Sequence, residues 1–477
     1  MLKKDTIAAI ATGLTDSGIG IIRISGEEAV NVGDRLFRSS SGKTVLRDSI
    51  SHFMQYGYVV ENEIYESDSL WKDYIIDEVM AVVMRAPRSF TGEDTVEIQC
   101  HGGVLVMRKI LEAALKNGAR MAEPGEFTKR AFLNGKIDLS RAEAVMDVIQ
   151  SRNEYALSAS VEQLKGKLAQ EVKRLRADII YEVAFIESAL DDPEHISING
   201  YSDALLKKIN RLIAEIEKLL STVRDGRLIK EGINTVIIGK PNAGKSSLLN
   251  LLIGEERAIV TEVAGTTRDV LQERVILDGI GLNIVDTAGI RSTEDKVEKI
   301  GVERAKQYAR DADLILYVVD SSVTLDESDR EILPLLNGKK VILLLNKSDL
   351  QNVVSEEKVI KFFEEFFSEN EKPVIVRTSV KEETGFSEFK ETVKEMFFHG
   401  EIKGNSELVI TNDRHTEALR EVLSSLHLVK KSIDDGMPED FYSIDLMNAY
   451  QALGRIIGEE VDDDLVEEIF SKFCMGK

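Results

Sequence analysis

The chain has 477 residues, 43% of them hydrophobic, and a formal net charge of −22. That length exceeds one ordinary core and predicts about three domains. The acidity argues against broad, sequence-independent nucleic-acid binding, which relies on phosphate neutralisation by Lys and Arg. No run approaches the roughly 18 uncharged apolar residues of a membrane helix. The only cysteines, Cys100 and Cys474, lie far apart. They fit a reducing compartment, and with Asp5 interrupting a short apolar start the expected location is cytoplasmic.

Residues 1 to about 118 read as an α+β domain. Short β-type runs fall near residues 20, 56, 81 and 97, and helices are predicted near 27–36 and 104–117. Two clusters stand out, PRSFTGEDTVEIQCHGG (87–103) and AEPGEFTKRAFLNGKIDLSRAEAV (122–145). On composition alone, such dense Gly, Pro and charge between strands reads as tight turns with solvated tips. From Ser140 to Leu190 the chain is nearly free of breakers, with Gly166 the exception. Ala142, Val145, Met146 and Ile149 begin an apolar stripe that Leu164, Leu168, Val172, Leu175 and Ile179 continue, so long packed helices are expected. DDPEHISINGYSD (191–203) interrupts them, and a further helix is predicted from about 203 to 224.

Residues 231 to about 380 change character. Apolar strands at 233–238, 273–277, 282–286, 313–319, 340–345 and 373–378 alternate with helical segments, the pattern of a mostly parallel sheet wound with helices. Helices return at 386–397, 413–434, 443–458 and 462–473. The simplest architecture makes the two helical blocks one discontinuous domain, with the α/β domain inserted. The expected segments are thus 1–118, 119–224, 225–382 and 383–477.

At the first α/β strand, GKPNAGKS (239–246) matches G-x-x-x-x-G-K-[ST] in its strand–loop–helix context. Gly239 and Gly244 let backbone amides converge on phosphate oxygens, and the following helix presents its positive end to the same anion. Lys245 is predicted to reach the β- and γ-phosphates and Ser246 to ligate Mg2+, with Ala243 and Ser247 on either side of the loop's end.

Further signals follow in order. AGTTRD (264–269) supplies Thr267 to close on Mg2+ and the γ-phosphate. DTAG (286–289) supplies Asp286 as an outer-sphere or water-mediated Mg2+ partner, then Thr287 and the Gly289 amide. NKSD offers Asn346, Lys347 and Asp349, whose carboxylate accepts the guanine N1–H and amine that adenine does not present. Ser379 follows the last strand where a backbone amide meets guanine O6. Together they specify a GTPase. Ile290 follows DTAG where many switch GTPases carry a water-orienting glutamine, and Glu294, Asp295 and Glu298 are the nearby carboxylates.

DTIAAIATG with GIGIIRISG, PRSFTGEDTVEIQCHGG, AEPGEFTKRAFLNGKIDLSRAEAVMD, the central GKPNAGKSSLLN and the terminal CMGK together resemble the tRNA-modification GTPase family MnmE, also called TrmE, from Asp5 to Lys477. The resemblance implies an N-terminal domain that binds a tetrahydrofolate (5-formyl- or methylene-) and forms a homodimer, a helical domain in two pieces, and an inserted Ras-like P-loop domain. It implies work with an FAD-dependent partner, MnmG (GidA), in a heterotetramer or larger complex. The pair installs an aminomethyl or carboxymethylaminomethyl group on carbon 5 of the tRNA wobble uridine, using a folate one-carbon unit. Arg23, Glu78 and Arg120 are carried over as folate contacts, with Lys116 and Lys129 close to the last of them. The family is activated by K+. Asn242 matches its side-chain ligand, and carbonyls of the loop Thr261, Val263 and Thr266 complete the shell. Its water-orienting glutamate falls on Glu298 in preference to Glu294. Cys474 in CMGK is a candidate for covalent or tRNA-proximal chemistry, with a docking tail as the alternative.

Two departures from the family pattern occur: DDPEHISINGYSD where a Phe-Pro-Glu-Glu type is expected, and Val380 where Ala is usual. The competing function is a ribosome-assembly or RNA-binding GTPase switch without modification chemistry, which a KH-like or second G domain after residue 380 would favour.

Overall fold

A computed structural model describes residues 5–41, 45–61, 74–196, 200–255, 272–286, 307–364, 373–398, 408–474 and 476. The chain divides into two compact units, each discontinuous in sequence. One comprises Met1–Met146, Gln163–Leu205 and Leu428–Lys477, the other Asp147–Glu162 and Leu206–His427.

The first unit holds a seven-stranded sheet. Its strands are β1 (Ile7–Ile10), β2 (Ser17–Ser25), β3 (Phe37–Ser39), β4 (Met54–Val60), β5 (Ile75–Met84), β6 (Thr95–Gly102) and β7 (Arg120–Met121), in the spatial order β3-β4-β5-β6-β2-β1-β7. All pairings are antiparallel except β1 with β7. Alternation along β5 and β6 sends Val79, Ala81, Val83, Val96, Ile98 and Cys100 to one face. Helices α1 (Ala29–Leu36) and α2 (Val104–Lys116) cover that face through Val32, Leu36, Met107, Ile110 and Leu111. The same alternation puts Arg23, Glu97 and Gln99 on the opposite, half-buried face.

The breaker-poor run divides into α4 (Leu139–Gln150), α5 (Glu154–Leu164) and α6 (Lys167–Asp191), after a shorter α3 (Glu126–Leu133). Gly166 ends one segment at φ +90, as expected. The other break, at Ser151–Asn153, is a capping site. The Asn153 Oδ1 accepts from the Ala156 amide at 2.7 Å, satisfying a donor that the first turn of α5 leaves open. Val172, Leu175, Ile179, Val183 and Ile186 form the buried stripe of α6, which packs on the helix Glu439–Ile457, where Leu446, Ala449, Leu453 and Ile456 are buried.

The second unit is built on a six-stranded sheet. The strands are β8 (Ile233–Ile238), β9 (Gln272–Leu277), β10 (Ile280–Asp286), β11 (Leu314–Asp320), β12 (Lys340–Asn346) and β13 (Val374–Arg377), in the spatial order β13-β12-β11-β8-β10-β9. Only the edge pair β9·β10 is antiparallel. It closes through Asp278 and Gly279, both at positive φ (46 and 83), a two-residue turn whose twist suits the flanking strands. β8, β11 and β12 are buried along nearly their whole length, as strands covered on both faces must be. Chain order along the sheet reverses between β8 and β11. The crevice beyond the carboxyl ends of those strands is where an open α/β sheet binds its ligand.

Candidate functional site

The loop that leaves the carboxyl end of β8 runs directly into the helix Lys245–Glu255. Gly239 sits against β11, where a Cβ would overlap the Val318 carbonyl, and Gly244 lies so close to Asn346 that a Cβ would overlap its Nδ2. Asn242, between them, is one of the few non-glycine residues in the left-handed region, at φ 63. Lys245 folds back to donate to the Gly239 carbonyl at 2.8 Å and the Lys240 carbonyl at 2.7 Å. Asn242, Ser246 and Ser247 lie open to solvent in whole or in part, and Ala243 is buried. The result is a glycine-lined cradle at a helix N-terminus, and it fits a phosphate chain. The Ser246 hydroxyl, in the helix's first turn, is a hard oxygen donor of the kind Mg2+ takes.

NKSD ends β12 beside this cradle. The Asn346 side chain, 3% exposed, bridges two loops: its Nδ2 donates to the Ala243 carbonyl at 2.8 Å and its Oδ1 accepts from the Val380 amide at 3.2 Å. Lys347, also at positive φ, pairs with Asp320 at 2.5 Å. Ser379 donates from Oγ to Asp349 Oδ1 at 2.7 Å, orienting the carboxylate, and is itself fixed by a reciprocal backbone bridge with Thr384. Asn242, Lys245, Ser246, Asn346, Asp349 and Ser379 therefore line one edge of one sheet. The Asp286 backbone ends β10 on the same side. Thr261, Val263, Thr266, Thr267, Thr287, Gly289, Ile290, Glu294, Asp295 and Glu298 lie outside the described residues.

A second constellation lies on the half-buried face of the first unit's sheet. Arg23 Nε pairs with Glu97 Oε1 at 2.7 Å, and its guanidinium sits over the rings of Phe90 and Phe127 at 5.9 and 5.6 Å. Its NH1 donates to the Gly476 carbonyl at 3.3 Å, and Gly125 donates its amide to the Cys474 carbonyl at 3.4 Å. The C-terminal tail thus docks beside Arg23, with Cys474 exposed.

The three residues carried over for folate do not converge. Glu97 registers with Val82 on β5, four residues from Glu78, a separation of about 13 Å along a strand. Glu78 is exposed and accepts from the Tyr56 hydroxyl at 2.6 Å. Arg120, on β7, pairs with Asp5 and Glu126 at 2.7 Å each. Arg130 joins the same cluster through Asp5, Glu126 and Glu93. Burial works to raise the Glu126 pKa, but hydrogen bonds from Arg120, the Glu123 amide and Arg130 outweigh it and hold the carboxyl below its usual range. Most Arg120 donors are spent inside the protein. The carboxylate that accompanies Arg23 is Glu97, which sequence reasoning missed; the signal was the period-two alternation of TVEIQC opposite GIIRIS.

Two family models match the chain: "GTP-binding protein TrmE N-terminus" over residues 6–136 and "MnmE helical domain" over 139–474. The tRNA modification GTPase MnmE of Lachnoclostridium phytofermentans is 55% identical over 476 residues, covering 100% of both chains. The chain belongs to the tRNA modification GTPase MnmE family. The MnmE proteins of Acetivibrio thermocellus and Clostridioides difficile are 45% and 46% identical, again over 100% of each chain. Among solved structures, a variant of Aquifex aeolicus Era bound to GDP.AlF4- is 28% identical, covers 41% of this chain and 67% of its own, and superposes with a TM-score of 0.27. The two family-matched regions take in both the Arg23–Glu97 face and the Gly239–Ser246 cradle. Among the described residues no helix is long and apolar enough to cross a membrane.

Proposed function

We propose that this chain couples GTP hydrolysis to modification of carbon 5 of the tRNA wobble uridine. As an MnmE-family member it is a GTP hydrolase. The observation that carries the reading is the convergence of a phosphate cradle with a pre-oriented Asp349 carboxylate on one sheet edge, in a chain whose full length matches tRNA-modifying relatives.

Lys245 would leave the Gly239 and Lys240 carbonyls for the β- and γ-phosphates, and Ser246 and Thr267 would hold Mg2+, with Asp286 its outer-sphere or water-mediated partner. Asn242, with the loop Thr261 to Thr266, would hold K+, which would supply positive charge to stabilise the transferring phosphoryl group. Glu298 orients the attacking water in place of the absent glutamine. The domain reading follows the four segments 1–118, 119–224, 225–382 and 383–477, with a cytoplasmic homodimer engaging MnmG and tRNA.

The one-carbon unit is assigned to a reduced folate on the half-buried face of the N-terminal sheet that carries Arg23 and Glu97. Arg23 is its anchor: its donors and the Glu97 acceptor beside it match a ligand carrying both N–H groups and carboxylates. The exposed Cys474 lies on the tail whose Gly476 carbonyl accepts from Arg23, which supports a role for the tail at this site, in chemistry or in docking. Glu78 and Arg120 are retained as outlying contacts.

Calorimetric titration of the full chain with 5-formyltetrahydrofolate tests the assignment. Binding is expected, weakened about tenfold or more by Arg23→Ala, which removes a charge-assisted contact. Arg120→Ala is expected to weaken it less, because that side chain is committed to Asp5 and Glu126. Absence of binding to the wild-type chain would remove the folate reading.

A further inference from the structure

The phosphate loop has a brace that no motif residue explains. Lys240, the first variable position of GKPNAGKS, extends its ammonium to Asp329 Oδ2 at 2.5 Å and Asp326 Oδ2 at 2.9 Å. Asp329 is 1% exposed, and its other oxygen accepts from the hydroxyl of Tyr317, a fully buried residue of β11, at 2.7 Å. Asp329 Oδ2 also accepts the Asp326 amide at 2.9 Å, closing a capping box on the helix Glu327–Ile332. Burial works to lower the Lys240 pKa, but the hydrogen bonds to Asp329 and Asp326 outweigh it and leave it raised.

A buried carboxylate with three donors is a fixed point, since every rotation would leave a desolvated charge or donor unpaired. Through Lys240 that fixed point reaches the backbone of the loop. The Lys240 carbonyl accepts from Lys245 and from the Ala243 amide, at 2.7 and 3.3 Å. Pro241 stiffens the next step. Asn242 then takes its left-handed turn. At its other end the loop is tied by Asn346 to the Ala243 carbonyl. Lys240 and Asn346 therefore brace the two ends of the turn on which Asn242 sits.

We propose that Asp329, acting through Lys240, is a positioning residue for phosphoryl transfer that fixes the Lys240–Ala243 turn and with it the orientation of Asn242. The inference rests on reading Gly239–Ser246 as the GTP phosphate cradle. Ground-state nucleotide binding also draws on Lys245, on the amides at the start of the helix Lys245–Glu255 and on Asp349, and the Gly239 carbonyl, the helix itself and Ser379 still support these when the brace is cut. The transition state is more sensitive, because small misplacements of a positioned group cost rate steeply.

The test measures GTP turnover, affinity for a fluorescent GDP analogue and the potassium concentration for half-activation in the full-length protein. Asp329→Asn and Lys240→Met are expected to lower kcat about tenfold to a hundredfold, with GDP affinity held within about threefold. They are also expected to need several-fold more potassium, and Lys240→Arg, which keeps the ion pair, restores both. Melting temperatures identify any variant that fails to fold, and the partly exposed Lys240 then carries the test. Unchanged kcat in both variants, or a loss of GDP affinity as large as the loss of kcat, would overturn the proposal. Equal wild-type turnover in sodium and potassium would remove potassium from Asn242, and the comparison of kcat with GDP affinity would still decide the brace. A wild-type chain that fails to bind GDP at all would remove the cradle and the brace together.

Discussion

Asp349→Asn is expected to shift base preference from GTP to xanthosine triphosphate. In the proposed base site the wild-type carboxylate accepts the N1–H and amine of guanine, and the Ser379 hydroxyl donates to it at 2.7 Å. An amide at the same position offers a donor where guanine also donates, so a buried polar pair goes unmatched. Sites that read a substrate's hydrogen-bonding groups reject the mismatched analogue by roughly 10^4-fold. GTP affinity should therefore fall by at least about a hundredfold while xanthosine triphosphate becomes a substrate. Nucleotide competition against a fluorescent analogue checks this, and an unchanged preference would remove Asp349 from the base site.

The second large effect is expected at Glu298. Isoleucine at position 290 has no acceptor for a water proton, so the proposal gives that task to a carboxylate of the following segment. Glu298→Ala should lower kcat by about a hundredfold or more, the ordinary worth of a positioned proton acceptor. GTP affinity should stay near wild type, because the water-orienting group acts only as the bond forms. Lys245→Ala offers the contrast. In the proposed cradle its ammonium meets the phosphates in both ground and transition states, so it should lose affinity and turnover together. Single-turnover hydrolysis with measured GTP binding separates the two patterns. Wild-type turnover in Glu298→Ala would pass the role to another carboxylate.

Much of the nucleotide-binding unit is legible in the sequence, because phosphate and guanine recognition depend on local backbone and short motifs. Five of the six sheet strands begin within a residue of the positions that apolar runs mark, and GKPNAGKS and NKSD meet at one edge as their spacing requires. The exception is the start of β10, two residues early. There Asp278-Gly279 forms a two-residue hairpin turn, a signal present in the sequence but hidden by the apolar run around it. In the N-terminal unit, β1, β3 and β7 escape periodicity because each spans four residues or fewer, too short to show alternation.

What the sequence hides is long-range. The pairing of Arg23 with Glu97 comes from strand register across 74 positions. Arg120 looks like a free cation in NGARM, yet its partners are Asp5, 115 positions away, and Glu126. The Lys240–Asp329 brace joins a variable motif position to a helix cap whose own pattern looks purely local. In each case charge was visible and its partner was not, because ion pairing follows the fold rather than the neighbouring sequence.

If GTP hydrolysis here serves chemistry on the tRNA wobble uridine, removing the protein must leave that uridine unfinished. Nucleoside analysis of tRNA from cells lacking the protein reads this out. The aminomethyl or carboxymethylaminomethyl group is expected to disappear from carbon 5 of that uridine, and to return with the wild-type chain but not with Glu298→Ala. Wobble uridines that keep the full modification without the protein would contradict the coupling of GTP hydrolysis to tRNA modification.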